Sequence, residues 1–218
     1  MLYKFMNKEW ADKFMDTGSL RIGTLYDFRR AEHKPGVSDE HEGFSYSQIE
    51  IRGGKSFSDM TNIEKRNFGL GSVFPNELLG DFTGGEVIGD FSGQFIWQSK
   101  DMYVMCFSTT PDLIAMKKMG YDTCIEIKQH DIFINRITRA LRNMAGPLMH
   151  SGLVDYSGKE TNYDVIDRRF PFMTKHAEFE YQNEFRAVWE PNKQSPLILT
   201  HQIISIPNAS RLCRVITQ

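Results

Sequence analysis

The sequence lacks any segment that could cross a bilayer, because no apolar run approaches the roughly 20 residues that a membrane-spanning helix needs. No apolar signal segment follows Met1. We therefore expect a cytoplasmic protein that makes no membrane contact. The 218 residues carry a net charge of −2, so no overall basic field attracts nucleic acid, and any polyanion site has to be local.

Cysteine is also scarce. Cys106, Cys124 and Cys213 are odd in number, widely spaced and set among apolar neighbours, which indicates buried thiols rather than a disulfide framework or a zinc site. The sequence contains neither a GxxxxGK[ST] phosphate loop nor a GxSxG nucleophile elbow. Nucleotide binding through a P-loop and acyl transfer through an activated serine therefore have no support.

The patterns that are present alternate between strand and helix. A short strand at residues 2–5, a helix closed by Gly18 and a strand over residues 19–28 form a strand–helix–strand opening. A second, short helix is expected over residues 112–120, closed by Gly120, and a third from Asp131 to about Ala145; loops are expected over residues 29–43, 57–95 and 146–171. Further strands are predicted over residues 44–51, 102–110, 121–127, 179–189, 197–206 and 211–217. Because no repeat or linker divides the chain, we expect a single domain over residues 1–218, of the α+β class and richer in strand than in helix.

The segment FEYQNEFRAVW, residues 179–189, is the most informative one. Its apolar residues alternate with Gln182, Glu184 and Arg186, which would share one face of a strand. A carboxylate flanked by an amide and a guanidinium is costly to place on a half-buried strand, so the pattern indicates a functional site. The alternative is an ordinary ion pair between Glu184 and Arg186 on a solvated face.

Two other predicted strands offer complementary groups. The strand over residues 102–110 ends in the hydroxyl residues Ser108, Thr109 and Thr110, and the opening strands carry the cations Lys4 and Arg21. This order resembles the ADP-ribosyltransferase superfamily, in which an early basic or histidine strand, a serine-threonine-serine strand and a glutamine- or glutamate-x-glutamate strand surround NAD. The matching motifs here are FSTT, residues 107–110, and QNE, residues 182–184.

The resemblance implies an ADP-ribosyltransferase-like fold of split, strand-rich sheets with inserted helices. It implies an enzyme, a glycosyltransferase that uses NAD as its substrate and modifies a macromolecular acceptor, either nucleic acid or protein. Such a protein would act as a toxin or in phage defence, and a neutralising antitoxin could accompany it. A looser likeness, to uncharacterised bacterial and phage proteins with the pattern LYKF…GSLRIGTLYDFR, implies no function.

The resemblance also implies roles for individual residues. Glu184 would stabilise positive charge on the ribose, Gln182 would orient the acceptor, and Ser108 would brace the glutamate. Arg186 would keep Glu184 ionised, and Thr109 would fix the end of its strand.

The early basic position is open between Arg21 and Lys4. Arg21 is favoured because a guanidinium grips a pyrophosphate at two points, with Lys4 or Tyr3 lining the nicotinamide end.

Other functions remain open. The same scaffold could be a non-catalytic module that binds a nucleotide or a partner. A metal-dependent hydrolase could use Asp39, Glu42 and either His33 or His41, although no recognised ligand spacing is present and a solvated turn explains these residues. A stripe of arginines along the predicted third helix mildly favours a nucleic-acid acceptor: Arg136, Arg139 and Arg142.

Overall fold

The computed structural model describes residues 1–29, 38–65, 86–165, 169–193 and 199–216, and it has a mixed α+β fold dominated by strands. In chain order the strands are β1 (Leu2–Met6), β2 (Ser19–Thr24), β3 (Phe44–Ile51), β4 (Lys55–Ser56), β5 (Glu86–Val87), β6 (Phe91–Gln98), β7 (Tyr103–Ser108), β8 (Thr123–Ile127), β9 (Ala145–Leu153), β10 (Glu160–Asn162), β11 (Glu184–Pro191), β12 (Gln202–Ser205) and β13 (Cys213–Ile216). The helices described over their full length are α1 (Lys8–Thr17), α2 (Leu113–Lys118) and α3 (His130–Leu141), and residues 62–65 are helical as well. None of the helices in the described ranges is long and apolar enough to cross a membrane.

The largest sheet has eight strands and divides around β7. Along one edge of β7 lies β11, which pairs with it from Glu184 opposite Ser108 to Trp189 opposite Tyr103, and β9 pairs with the far edge of β11. The other edge of β7 is shared by two strands. There β2 pairs near Val104 and β1 pairs only at Ser108, so a fissure opens between β1 and β2. The sheet continues from β1 to β8 and β13, and from β2 to β12.

One face of this sheet carries the main hydrophobic core. Alternate residues of β7 and β11 point toward α1 and α3, where Phe14 and Phe107 each form a T-shaped contact with the Phe133 ring. Trp189 is fully buried there, and its indole nitrogen donates a hydrogen bond to Thr138 Oγ1 at 2.8 Å. Because side chains alternate across a strand, the residues between these point to the opposite face, where polar groups gather.

Several predicted elements are confirmed. The strand over residues 44–51 is β3, the strands over 102–110 and 121–127 contain β7 and β8, and those over 197–206 and 211–217 contain β12 and β13. Gly18 ends α1 with a φ of 72°, a left-handed conformation that glycine adopts without steric cost. The second predicted strand is shorter than expected and ends at Thr24, before a 3-10 turn over Asp27–Arg29.

Other predictions are wrong. The segment 179–189 is not one strand, because Ala177–Gln182 forms a 3-10 helix, Asn183 has a φ of 44°, and the strand begins only at Glu184. The predicted third helix starts at His130 and ends at Leu141, so Asp131 lies in its first turn rather than at its cap.

Two regions predicted as loops contain strands. Most of β9 (Ala145–Leu153) lies in the region 146–171, which was predicted to be a loop. Among the described strands β9 pairs only with β11, so it is an edge strand, and an edge strand tolerates the proline at position 147. Within residues 57–95, β5 and the start of β6 are strands; residues 66–85 of that region lie outside the described residues. A small second sheet joins β10, β3 and β6.

Candidate functional site

Glu184 and Arg186 occupy successive positions on the polar face of β11. Both side chains are buried, and Arg186 Nε donates a hydrogen bond to Glu184 Oε1 at 2.7 Å. This contact is the predicted same-face pair, but it lies inside the protein rather than on a solvated face. A buried ion pair of this kind needs further partners, since each charge loses its hydration.

Two further partners come from outside β11, one close in sequence and one distant. Lys175 lies between two 3-10 helices, and its Nζ donates to Glu184 Oε2 at 2.7 Å and to Gln182 Oε1 at 2.9 Å. Glu42 accepts from the Nη1 and Nη2 atoms of Arg186 at 2.8 and 3.2 Å. Two carboxylates and two cations therefore form a neutral buried cluster, which we call the charge cluster: Glu42, Lys175, Glu184 and Arg186.

The charge cluster fixes the ionisation of its members. Burial alone would raise the pKa of Glu184, but the positive charges of Arg186 and Lys175 outweigh it and hold that pKa well below its ordinary value. Burial likewise would lower the pKa of Lys175, yet the negative charges of Glu184 and Glu42 raise it. Glu184 is thus an anion at every pH near neutrality, and Lys175 is a permanent cation rather than a nucleophile.

Two uncharged groups complete the surroundings of Glu184. The Tyr156 hydroxyl accepts a hydrogen bond from the backbone N–H of Glu184 at 2.9 Å. The Cys106 thiol donates to the Glu184 carboxylate, and burial together with the charge of Glu184 raises the pKa of Cys106 to about 12. Cys106 is therefore a neutral donor and not a reactive thiolate.

A partly open pocket of about 60 Å³ adjoins the charge cluster. That volume holds roughly four water molecules, so one small polar group of a larger ligand can enter while the rest stays outside. Apolar side chains such as Phe28 and Met119 form part of the wall. The polar and charged residues that line the pocket are Lys4, Ser108, Tyr121, Lys175, Gln182 and Glu184.

Ser108 marks the meeting point of the three strands that the sequence singled out. On β7 it lies opposite Tyr3 of β1 on one side and opposite Glu184 of β11 on the other. Its hydroxyl accepts a hydrogen bond from the backbone N–H of Thr110 at 3.2 Å. Four of the predicted site residues therefore line one pocket: Lys4, Ser108, Gln182 and Glu184.

The two cations predicted near the start of the chain, Lys4 and Arg21, have different surroundings. Lys4 is half-buried in the fissure between β1 and β2, lines the pocket, and donates from Nζ to the Cys106 carbonyl oxygen at 2.8 Å. None of the ion pairs among the described residues involves Lys4. Arg21 is paired with the Asp27 carboxylate and is not part of the pocket wall.

The remaining predicted residues lie beside the pocket rather than in its wall. Thr109 uses both its backbone N–H and its hydroxyl to bond the Asn183 carbonyl oxygen, at 2.9 and 3.2 Å, which ties the end of β7 to the turn before β11. Tyr3 donates its hydroxyl to the Met1 sulfur at 3.4 Å. Arg186 contacts the pocket only through Glu184, as one of the charge cluster.

The acidic segment considered for metal binding is engaged otherwise. Asp39 is buried and pairs with the equally buried Lys159 at 2.8 Å, while Glu42 is held by Arg186. The described residues contain no group of three or more metal-ligating side chains that could hold an ion. His33 lies outside the described residues, and the exposed His41 accepts or donates a hydrogen bond with the Tyr46 hydroxyl at 2.7 Å.

Sequence reasoning missed Glu42 and Lys175 as members of the site. Glu42 sits in a stretch so polar that a solvated turn explained it, and its partner Arg186 lies 144 residues further along the chain. Lys175 has no neighbour of opposite charge in the segment MTKHA that would mark it. Only the abrupt density of Asp39, Glu40 and Glu42 gave a local signal, and it was attributed to solvent.

Comparison with known proteins returns no match: no family model, no curated protein and no solved structure is similar to this chain. Any proposal about function therefore rests on the pocket, its charge and the residues that surround it.

Proposed function

We propose that the protein is an NAD-dependent mono-ADP-ribosyltransferase with an ADP-ribosyltransferase-like fold, and that it modifies a macromolecular acceptor in the cytoplasm. The observation that carries this proposal is that Lys4, Ser108, Gln182 and Glu184 line a single pocket although they come from four separate segments. These segments are β1, β7, the 3-10 helix at 177–182 and β11. The split of the sheet around β7 supports the same fold.

The proposed reaction requires a group beside the ribose that stays negatively charged. When the bond between the ribose C1′ and the nicotinamide nitrogen breaks, the electron pair leaves with nicotinamide and positive charge develops on the sugar. A preorganised carboxylate stabilises that charge more in the transition state than in the ground state. Glu184 fits this role, since its depressed pKa keeps it ionised and makes it a weak base. The acceptor atom then bonds to C1′ and releases its proton to solvent.

Lys4 suits the early basic position better than Arg21 does. Its ammonium lines the pocket and is bonded to a neutral carbonyl oxygen, so its positive charge is available to an anionic or electron-rich part of the ligand. Burial lowers the pKa of Lys4, although the Cys106 and Glu184 side chains oppose that effect. The guanidinium of Arg21 is already occupied by Asp27.

One observation favours a second candidate, a non-catalytic module that binds a nucleotide or a partner. Both carboxylate oxygens of Glu184 already accept charged hydrogen bonds, from Arg186 and Lys175. A carboxylate has about four acceptor positions, so capacity for a ribose hydroxyl remains, but it is reduced. Thermal stabilisation by NAD without any release of nicotinamide would favour this candidate over the enzyme.

The decisive experiment measures nicotinamide release from NAD by the purified protein and by two variants. Glu184→Gln is expected to lower kcat by roughly 10²–10³-fold, because it removes the anion that faces the sugar. Glu126→Gln is the matched control: Glu126 is a buried carboxylate on β8, paired with Arg214 at 2.8 Å, and it does not line the pocket. Circular dichroism checks that both variants are folded. Equal NAD turnover in wild type and Glu184→Gln would contradict the proposal.

The acceptor is tested separately. Labelled NAD is incubated with the protein and a cell lysate, and labelled protein is then separated from labelled nucleic acid. The exposed Arg139 on α3 and Arg142 just after its end give nucleic acid a modest electrostatic advantage. If the protein is a toxin or a phage-defence factor, its expression should be toxic, the Glu184→Gln variant should not be, and a neutralising partner should bind the wild type.

A further inference from the structure

Lys175 occupies an unusual position for a lysine. It lies between the 3-10 helices Pro171–Met173 and Ala177–Gln182, and its backbone N–H donates to the Asp155 carbonyl oxygen at 3.0 Å. Its side chain is only 6% exposed, yet its ammonium forms part of the pocket wall. Burying an ammonium costs several kcal/mol unless carboxylates and other acceptors surround it.

The acceptors around Lys175 are the polar groups of the pocket itself. Its Nζ lies 2.7 Å from Glu184 Oε2, 2.9 Å from Gln182 Oε1 and 3.8 Å from Glu42 Oε2. An ammonium has three donors and no acceptor, so the Gln182 side chain must turn its carbonyl oxygen toward Lys175 and its NH₂ group elsewhere. One cation thus sets the orientation of an amide on the 3-10 helix and a carboxylate on β11.

We propose that Lys175 is a positioning residue whose ammonium holds the Gln182 amide and the Glu184 carboxylate in one fixed arrangement at the pocket. The inference rests on the proposed function, because its purpose is to prepare these two side chains for NAD and the acceptor. Lys159 provides the contrast within the same protein. It is a buried lysine that pairs with Asp39 and the His41 carbonyl oxygen, and it does not line the pocket.

The effect of removing Lys175 follows from the groups that face Glu184. These groups are Arg186 on its own strand, Lys175, Glu42, Cys106 on β7, Lys4 on β1 and Tyr156 after β9. Without Lys175, Glu184 keeps Arg186, which it must share with Glu42, so its pKa rises while the wild-type value stays far below neutrality. The variant carboxylate therefore becomes protonated as the pH falls through a range in which the wild-type carboxylate remains charged.

The test compares the pH profile of NAD turnover in wild type, Lys175→Met and Lys175→Arg. We expect Lys175→Met to lower kcat roughly 10- to 100-fold, with a smaller change in KM, and to introduce an acid limb that the wild type lacks. Lys175→Arg should remove the acid limb again, because it restores the charge. Lys55→Met is the matched control, because it removes a lysine that pairs with the buried carboxylate of Glu64 at the same distance of 2.7 Å, away from the pocket. This variant should change neither kcat nor the pH profile of NAD turnover.

A second measurement separates this inference from the proposed function. The Glu184 carboxylate is titrated by infrared spectroscopy with ¹³C-labelled glutamate, and its band is assigned by difference from Glu184→Gln. A raised titration midpoint in Lys175→Met, together with no NAD turnover in wild type, would support the positioning role and overturn the enzyme. NAD turnover in wild type, with an unchanged Glu184 titration and an unchanged pH profile in Lys175→Met, would overturn the positioning role alone.

If Lys175→Met does not fold, the wild-type protein still decides the question. In ¹⁵N NMR spectra, an ammonium held by Glu184 and Gln182 should exchange its protons slowly and give a resolved signal that shifts in Gln182→Leu. A Lys175 ammonium that exchanges rapidly, with a signal unchanged in Gln182→Leu, would overturn the inference.

Discussion

Replacement of Glu42 by glutamine tests whether the charge cluster holds the fold together. The substitution keeps the size of the side chain and one acceptor oxygen, but it removes the negative charge that faces the fully buried Arg186. The cluster then changes from two anions and two cations to one anion and two cations. In addition, the new NH₂ group has to face a guanidinium or an ammonium, each of which can only donate hydrogen bonds.

The expected loss of stability can be worked out from burial. Glu42 and Arg186 have no exposed side-chain surface, so water cannot replace the missing partner. Removal of one member of a buried ion pair typically costs about 3–5 kcal/mol, because the remaining charge stays buried without compensation. That is a large part of the roughly 5–15 kcal/mol by which folded domains are stable. Glu42→Gln should therefore lower the free energy of unfolding by about 3–5 kcal/mol.

The assay is urea unfolding followed by the fluorescence of the buried Trp189 and the other tryptophans, with linear extrapolation to zero urea. Asp12→Asn is the control, since it removes one carboxylate from the exposed pair Lys8–Asp12 at the same contact distance of 2.8 Å. That variant should unfold at the wild-type midpoint, because exposed pairs contribute little. A Glu42→Gln midpoint equal to that of Asp12→Asn would refute the view that the cluster stabilises the fold.

Two further predictions concern single residues. Burial raises the pKa of Cys106 and Cys213 to about 12 and that of Cys124 to about 11. No thiol of the native protein should therefore react rapidly with Ellman's reagent at pH 8, whereas all three should react in urea. One thiol that reacts rapidly in the folded protein would contradict this. Gly18→Ala should lower the free energy of unfolding by about 1–3 kcal/mol more than Gly53→Ala does in the same urea assay. Both glycines have a φ near +70°, but only at Gly18 does an added Cβ meet a backbone atom, the Ile206 carbonyl oxygen at 2.6 Å. Equal losses in the two variants would show that this close approach carries no cost.

Local patterns predicted the elements whose stability is local. The turn that closes α1 follows from Gly18, and β3, β7 and β8 follow from alternation and apolar content. The segment before Glu184 failed because alternation in Tyr181–Asn183 is compatible with both a strand and a 3-10 helix. The left-handed conformation of Asn183 separates the two, and asparagine is one of the few residues other than glycine that adopts it readily, so Asn183 was the local signal for this break.

Some residues of the candidate site could likewise be predicted from local patterns, and others could not. Ser108 at the end of β7 and Glu184 at the start of β11 could each be found from a motif in its own segment, and the two residues lie opposite each other in the sheet. Glu42 could not be found because its partner Arg186 is distant in sequence. Lys175 is only nine residues from Glu184, but the chain between them changes from a 3-10 helix to a strand, so no single periodicity connects the two. The sequence therefore indicated the position of the carboxylate but not the groups that set its charge.

The distribution of charge distinguishes the pocket from a purely structural cluster. Glu42, Lys175, Glu184 and Arg186 neutralise one another, which is sufficient to bury them without any ligand. Lys4 stands outside this balance: it lines the pocket wall, and within the described residues its Nζ donates to the Cys106 carbonyl oxygen rather than to a carboxylate. Under the proposed function, an anionic or electron-rich part of the ligand would lie against Lys4, and Glu184 would be the anion beside the sugar. The four ion-paired residues balance one another without Lys4, so the place of Lys4 in the pocket wall is the feature that the proposed function explains and the ion pairs do not.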